Sequence, residues 1–470
     1  MYWVKKGSRQ VLEADACGIG FVASRKGIAD RQVVTHGLDM CTRFDHRGAP
    51  GHGAGIQVDI PWPLLLDRFP EHAKVIAQRD VALGMFFLPF ESTLRLACVA
   101  KVEELAELAG APVIQWAEVP VETSALEPGS HALRTLPIVR QALFKRPADM
   151  SEEGWFVARY LLRIALDSTM EKIAGDDFSV VSLSNRTVVY KGLFALSKIG
   201  EFYPDLQDPH FASRFLLFHS RYCTNTTTAW RRAQPFWALA HNGEINTIKG
   251  NVAWFEAIGQ DLLLALVAKH PELKGLASHV RSVVCSGGSD TANLDDMLIA
   301  LMAGGMGITE SLLALLPEAL TKESAVLQDF YRSMSVYLGA CDGPAAIVAC
   351  DGDEAVAHLD RNGLRPLWFA STKDYAVAAS ELTGAFPIGE PEVQRLLGPG
   401  ETVKVKLGSG AVLMANDVRE EIARSFAHDA KVSSPQTPAG TPVSVEAEVR
   451  PAAFGMTKED FDVVLEALFQ

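Results

Sequence analysis

Residues 13–21 read EADACGIGF: Cys17 opens a short apolar run punctuated by glycine, and sixteen residues stand in front of it. The run continues as GIGFVAS (18–24), a pattern that predicts a buried strand. A cysteine at the mouth of such a strand is most often a small buried hydrophobe. Its other use is as a nucleophile, which requires the thiolate and hence a base. A cysteine that begins a chain carries its own base, because an α-amine with an ordinary pKa of about 7.7–8 can take the thiol proton. In this chain that nitrogen is part of the Ala16–Cys17 amide and has no basicity. A nucleophilic Cys17 therefore requires release of residues 1–16.

Outward from Cys17, strand signals recur in AGIQVDI (54–60), VALGMFFL (81–88), FSVVSLSNRTVVYKG (178–192) and AAIVACDGDEAVAHL (345–359). Ser-Asn and Asp-Gly-Asp punctuate the last two, which predicts hairpins. Helical periods fall at 152–167, 252–264 and 294–303. Strands in hairpins and helices in blocks predict an α+β layered domain with largely antiparallel sheets rather than a Rossmann repeat. No internal repeat is present. Prolines 435, 438, 442 and 451 mark a linker or surface strap over 431–451. Beyond it, Thr457 with Asp460 suits a helix start. The last six residues, LEALFQ, read either as a natural amphipathic helix or, by resemblance, as the scar of a viral 3C-type protease site, and on either reading 465–470 carry no functional weight. The expected division is a leader at 1–16, one domain at 17–430, a linker with the start of a following segment at 431–464, and those last six residues.

Composition removes several function classes. The 44 Lys+Arg against 57 Asp+Glu give a net charge of −13 without a dense basic run, so an electrostatic footprint for nucleic acid is missing. The seven cysteines (17, 41, 98, 223, 285, 341, 350) are odd in number, scattered and without a C-x-x-C pair. That argues against a disulfide framework, a zinc site or an iron–sulfur site, and fits a reducing cytoplasm. The leader has no apolar stretch of secretory type. Glycines at 304, 305 and 307 and Glu310 break the apolar segment 297–320, which predicts two packed helices and no membrane span.

Three segments supply chemistry: FDHRGAPGHGAG (44–55), HSRYCTNTTTAWRRAQPFWALAHNGEINTIKGN (219–251) and SGGSDTANLDD (286–296). Hydrolysing the side-chain amide of a free amino acid needs a nucleophile, a base, an oxyanion site, and charged partners for the α-carboxylate and α-amine. The segments hold one candidate of each type: Cys17, an amide donor with an open backbone N–H at Asn242-Gly243, the guanidinium of Arg221 and the carboxylate of Asp290. Each has a plainer reading. Arg221 could be a structural ion-pair partner, Asn242-Gly243 a type I′ turn, and Asp290 an N-cap for a helix beginning near Leu294. His219 and His241 are expected to be structural.

In order, DACGIGF, HRGA, HSRYCTNT, LAHNGEINTIKGN, GGSDTANLDD, DGPAAIV, DRNGLRPL and ASELTG resemble the class II glutamine amidotransferase domain of the glutamate synthase large subunit, over about 17–427. The resemblance implies an N-terminal-nucleophile hydrolase fold, a four-layer αββα sandwich with antiparallel sheets, and release of a short propeptide. It implies Cys17 as nucleophile, Asn242 and Gly243 as oxyanion hole, Arg221 and Thr224 on the glutamine carboxylate and Asp290 on its amine. Arg47 joins the substrate-binding set as the brace of the cysteine loop, and DRNGLRPL (360–367) is expected to form a tight hairpin supporting the site from behind. The implied reaction is L-glutamine to L-glutamate and ammonia through a Cys17 thioester, the ammonia serving glutamate synthesis from 2-oxoglutarate. No cofactor or metal is expected in this chain, FMN and an iron–sulfur cluster being expected only in associated synthase parts. The partners implied are L-glutamine and a glutamate synthase FMN domain or subunit, with neither nucleic acid nor membrane.

The chain departs from the family pattern in three places. APGHGAG is short after HRG, with His52 where an acid is usual; Cys223 stands for serine; and Cys341 stands for tryptophan before Asp-Gly-Pro. Two other functions stay open: an amidotransferase serving a different synthase, and an unprocessed or non-catalytic module that senses glutamine or binds a partner.

Overall fold

A computed structural model describes residues 17–48, 51, 53–221, 228–284, 288–319, 325–382 and 389–433. Two compact units divide the chain at Ser425 and Phe426. Of the second, only the helical backbone ending at Ser433 and the first side chains are described. All that follows concerns the first.

Among the described residues sixteen strands run in chain order: β1 Gly18–Ser24, β2 Ala54–Asp59, β3 Val81–Leu88, β4 Val113–Glu118, β5 Ile138–Lys145, β6 Ser179–Ser184, β7 Thr187–Gly192, β8 Phe215–Ser220, β9 Leu239–Gly243, β10 Ala345–Cys350, β11 Glu354–Leu359, β12 Trp368–Ser371, β13 Tyr375–Ala379, β14 Val393–Leu396, β15 Thr402–Lys406 and β16 Ala411–Leu413. They make a seven-stranded sheet ordered β14-β12-β13-β1-β8-β2-β7, a five-stranded sheet ordered β16-β15-β11-β10-β9, and a four-stranded sheet ordered β4-β5-β3-β6. Every pairing is antiparallel.

Alternation along the strands builds the layers. From β1, Ile19, Phe21 and Ala23 point into a core shared with Ala346, Val348 and Cys350 of β10 and Ala355 and Ala357 of β11, so the two larger sheets pack face to face. Val22 points the other way, into a second core with Val33, Val34 and Met40 of the Arg31–Arg43 helix. Asp30 caps that helix by accepting from the Gln32 N–H at 2.9 Å. The helices Asp290–Ala303 and Ile308–Leu315 cover the far side of the five-stranded sheet, over β9 and β11. The result is the αββα sandwich that the resemblance implies.

The apolar segment 297–320 falls into those two helices, as its glycines require. Among the described residues one other helix, Ile248–Lys269, is long and apolar enough to cross a membrane by length and composition. Its Phe255, Gly259, Leu263 and Leu266 are buried on the domain beside the Asp290–Ala303 helix.

Of the two expected hairpins, β10–β11 pairs with Ala346 opposite Leu359. The other does not form: β6 joins β3 in the four-stranded sheet while β7 joins β2 in the seven-stranded one. The cause lies in the serines at the corner. Ser184 Oγ accepts from the Arg186 and Thr187 N–H groups, and Ser182 Oγ takes the Val189 N–H that a hairpin ladder would use. The four-stranded sheet uses β4 and β5, which the sequence reading left without a strand.

Close packing within the seven-stranded sheet, where β1 lies between β13 and β8, makes Gly20 a specific requirement. A Cβ there would lie 2.6 Å from the Ala378 carbonyl oxygen and 2.8 Å from the Phe218 ring. Gly20→Ala is expected to lower unfolding free energy by about 1–3 kcal/mol, read as a lower denaturant midpoint at unchanged slope; an unchanged midpoint would contradict this packing.

Candidate active site

β1 pairs with β8 so that Gly18 lies opposite Ser220. Cys17 and Arg221 therefore leave the sheet side by side. Arg221 holds φ at 85°, a left-handed conformation for a side chain with a Cβ. Such strain costs on the order of 1–3 kcal/mol and persists where surrounding structure enforces it, most often at functional sites.

Arg47 belongs to a short 3-10 turn, Asp45–Arg47, set beneath this corner. Its Nη1 lies 3.5 Å from the Cys17 carbonyl oxygen, and its Nη2 donates to Glu381 Oε2 at 3.1 Å. Burial raises the Glu381 carboxyl, but Arg47 and His46 more than offset this and hold it below the usual carboxylate range. Arg47, placed by the sequence among the substrate-binding groups, is thus engaged with the cysteine loop and a carboxylate, the bracing half of that expectation.

Asn242 and Gly243 end β9, opposite Ala346 and Ala345 of β10. They form a strand end and not the type I′ turn that the dipeptide otherwise favours. Gly243 has φ of 140°, and a Cβ there would stand 1.7 Å from the Pro344 carbonyl oxygen, which leaves glycine alone. The Asn242 side chain is buried, and its Nδ2 donates to Ser380 Oγ at 3.3 Å. The same oxygen accepts from the Ile19 N–H at 3.2 Å, and Ser380 N donates to the Ile19 carbonyl at 2.9 Å. Ser380 thereby joins the Cys17 strand in one sheet to the Asn242 strand in the other.

The entry to β9 is fixed from behind. Asp295, fully buried, accepts from the N–H groups of Trp237, Ala238 and Leu239 at 3.1, 2.7 and 3.1 Å. Arg163 provides its counter-charge at 3.5 Å and also pairs with Asp296 at 2.9 Å.

Asp290 is the first residue of its helix, which starts four residues earlier than the expected Leu294, and the cap is Ser289, whose Oγ accepts from the Ala292 N–H at 3.1 Å. Relieved of capping, the Asp290 carboxylate accepts from Ile245 N at 3.0 Å and Thr291 N at 2.7 Å and lies 3.9 Å from His241 Nδ1.

Cys17, Arg221 and Asp290 share one electrostatic neighbourhood. Burial pushes the Cys17 thiol up; the positive charges of Arg221 and Arg365 oppose this, and Asp290 adds to it. Arg365 is a member the sequence reading did not assign. Its signal was present as the arginine of the Asp-x-x-Gly-x-Arg-Pro turn. That turn is tight, with Gly363 at φ 65° and its N–H on the Asp360 carbonyl at 3.0 Å, but it is not a hairpin: it carries the chain from β11 in one sheet to β12 in the other. Arg361 instead braces Asp342 at 2.6 Å. Ser380 and Asp295 were likewise given no role.

His219 and His241 are buried in full. Burial and the neighbouring His241 push His219 down to about 3, and burial lowers His241, so both are neutral rings. Cys341 is buried, which pushes its thiol up to about 12, and its N–H donates to the Leu315 carbonyl at 2.7 Å. Thr224, Cys223 and His52 lie outside the described residues. Among the described residues no group of three or more His, Cys, Asp or Glu is placed to hold a metal ion.

The family model for class-II glutamine amidotransferases matches residues 17–430. The chain is 32% identical over 489 residues to the glutamate synthase [NADPH] large chain of Azospirillum brasilense, covering 97% of this chain and 31% of that protein. It is 33% identical over 479 residues to ferredoxin-dependent glutamate synthase 2 of Synechocystis, covering 97% of this chain and 30% of that protein. The large chain from Bacillus subtilis is 31% identical over 476 residues, again 97% of this chain and 31% of the relative. The chain thus spans about a third of the length of the relatives it matches.

The Ser380 bridge is measurable by itself. Ser380→Ala is expected to cost about 1–3 kcal/mol of stability, because it strands the Ile19 N–H and the Asn242 amide. In a double-mutant cycle with Asn242→Ala a coupling of about 0.5–3 kcal/mol is expected; additive effects would show that the hydroxyl does not join the strands.

Proposed function

Since the chain belongs to the class II glutamine amidotransferases, we propose that it hydrolyses L-glutamine to L-glutamate and ammonia through a thioester on Cys17. The observation that carries this reading is the convergence on Cys17 of two guanidinium groups, Arg221 and Arg365, and one carboxylate, Asp290. That is the charge pattern required by a free amino acid whose side-chain amide is to reach the thiol.

The chemistry begins when residues 1–16 are released and the Cys17 nitrogen becomes an amine. That amine takes the thiol proton, and the thiolate attacks the side-chain carbonyl carbon of glutamine. As Sγ–C forms, negative charge moves to the carbonyl oxygen, where Asn242 Nδ2 and the Gly243 N–H receive it. In the described state Asn242 Nδ2 is held by Ser380 Oγ, which aims the amide without a second conformer to select. Collapse breaks C–N, and the ammonium form of the Cys17 amine returns its proton to the departing ammonia. Water then adds to the thioester carbon, its hydroxyl staying with glutamate and its proton returning to sulfur. Arg221, with Thr224, holds the α-carboxylate and Asp290 the α-amine. Arg47 holds the Cys17 carbonyl and so the direction of the thiol.

No step needs a cofactor in residues 17–430. We further propose that the ammonia serves glutamate formation from 2-oxoglutarate on a flavin- and cluster-containing synthase part, and that the protein works in a reducing cytoplasm. The names of the relatives support the first, and the five described cysteines, all free thiols, support the second.

The test compares a chain beginning at Cys17 with the full chain. The shorter chain is expected to release ammonia from glutamine, with kcat/KM rising as the α-amine loses its proton near a pKa of about 7.7–8. The full chain, whose thiol burial holds above the usual range, is expected to be inert. Asn242→Ala is expected to lower kcat by about 10²–10³ with little change in KM. Equal activity of both chains, or an unchanged kcat in the Asn242 variant, would overturn the reading.

A further inference from the structure

A cavity of about 510 Å³ opens beside β6 and the end of β7, and Cys17, Arg221, Asn242 and Asp290 are not among its lining residues. Its volume lies in the range of small-molecule sites, roughly 300–1,000 Å³. Lys191, at the end of β7, points into it and is 2% exposed. The ammonium makes one hydrogen bond, to the neutral carbonyl of Arg231 at 3.0 Å, and lies 4.9 Å from the centre of the Phe236 ring. Among the described residues no carboxylate lies within ion-pair distance of it.

Except for the exposed Glu171, the acids around the cavity are engaged with other cations. Arg163 takes Asp296 at 2.9 Å, Asp295 at 3.5 Å and Asp167 at 3.7 Å, and Arg231 takes Asp176. A second cation on the wall, the exposed Arg281, also has no carboxylate at ion-pair distance among the described residues. A buried cation left without a counter-ion is costly, and proteins rarely keep one unless something pairs with it. Phe178, Phe236 and Trp237 supply apolar wall for the body of a ligand.

We propose that this cavity is a binding site for a small organic anion, whose carboxylate or phosphate group is drawn by Lys191 and Arg281. The site is separate from the one that holds glutamine, although Gly288 and Ser289 in its wall directly precede Asp290. Burial first, and then the charges of Arg163 and Arg231, lower the Lys191 ammonium to about 7 against the opposing pull of Asp295 and Asp167. An arriving anion reverses that balance, so binding above neutral pH takes up a proton.

Calorimetric titration of the full chain with succinate and, separately, glycerol 3-phosphate tests this and distinguishes the two anion types. Saturable binding of at least one probe to a single site is expected, with proton uptake at pH 8 seen as a dependence of the heat on the buffer's ionisation enthalpy. Lys191→Met and the surface variant Arg281→Ala are each expected to weaken binding about tenfold, as loss of one charge-assisted hydrogen bond does. Arg221→Ala is expected to leave it unchanged, so the result does not depend on the glutaminase reading. Binding that survives in both Lys191→Met and Arg281→Ala, binding lost in Arg221→Ala, or no saturable heat from either probe would overturn the proposal.

Discussion

The Ser380 hydroxyl is the point at which the two halves of the candidate site are held together. It accepts from the Ile19 N–H on the strand that Cys17 opens and from the Asn242 amide at the end of β9, at 3.2 and 3.3 Å. Those strands belong to different sheets, and facing sheets stand about 10 Å apart, too far for a backbone hydrogen bond. Side-chain alternation closes the distance: Ile19 and Phe21 from one sheet interdigitate with Ala346 and Val348 from the other. The small residues on the second sheet, Ala346, Ala355 and Ala357 among them, let the layers approach. A hydroxyl on the next turn of chain after β13 can then reach both. Packing of the core and geometry of the site are in this sense one constraint.

Charge is organised around the same corner. Burying a thiol opposes its ionisation, and Asp290 opposes it further, while Arg221 and Arg365 favour it. While its nitrogen is an amide, Cys17 has no base in its own backbone, and burial pushes its thiol up. In the mechanism proposed above, release of residues 1–16 supplies that base at the sulfur itself. The strained φ of Arg221 and the forced glycine at 243 belong to the same logic, since each trades local backbone freedom for a fixed donor.

What the sequence showed and what it concealed divide along range. Cys17, Asn242, Gly243, Arg221 and Asp290 could be singled out as candidates because each stands in a short motif. β1, β3 and the β10–β11 hairpin were legible because apolar runs and turn residues are local signals. Ser380, Asp295 and Arg365 were not, because each acts only through a partner more than fifty residues away. The 178–192 segment misled for a related reason: its turn residues are those of a hairpin, but Ser182 and Ser184 consume the backbone donors and send the arms to separate sheets. Asp290 was expected too far from the helix start, since an Asp preceding an apolar period resembles a cap; Ser289 one residue earlier takes that duty.

One measurement bears on the central claim, that Cys17 becomes a glutamine-directed nucleophile when residues 1–16 leave. It is the intact mass of the protein after incubation with a diazoketone analogue of glutamine, followed by peptide mapping. In the chain that begins at Cys17 a single adduct on that residue is the expected result, with none on the chain that keeps residues 1–16. A processed chain that stays unlabelled, or an adduct on another cysteine, would contradict it.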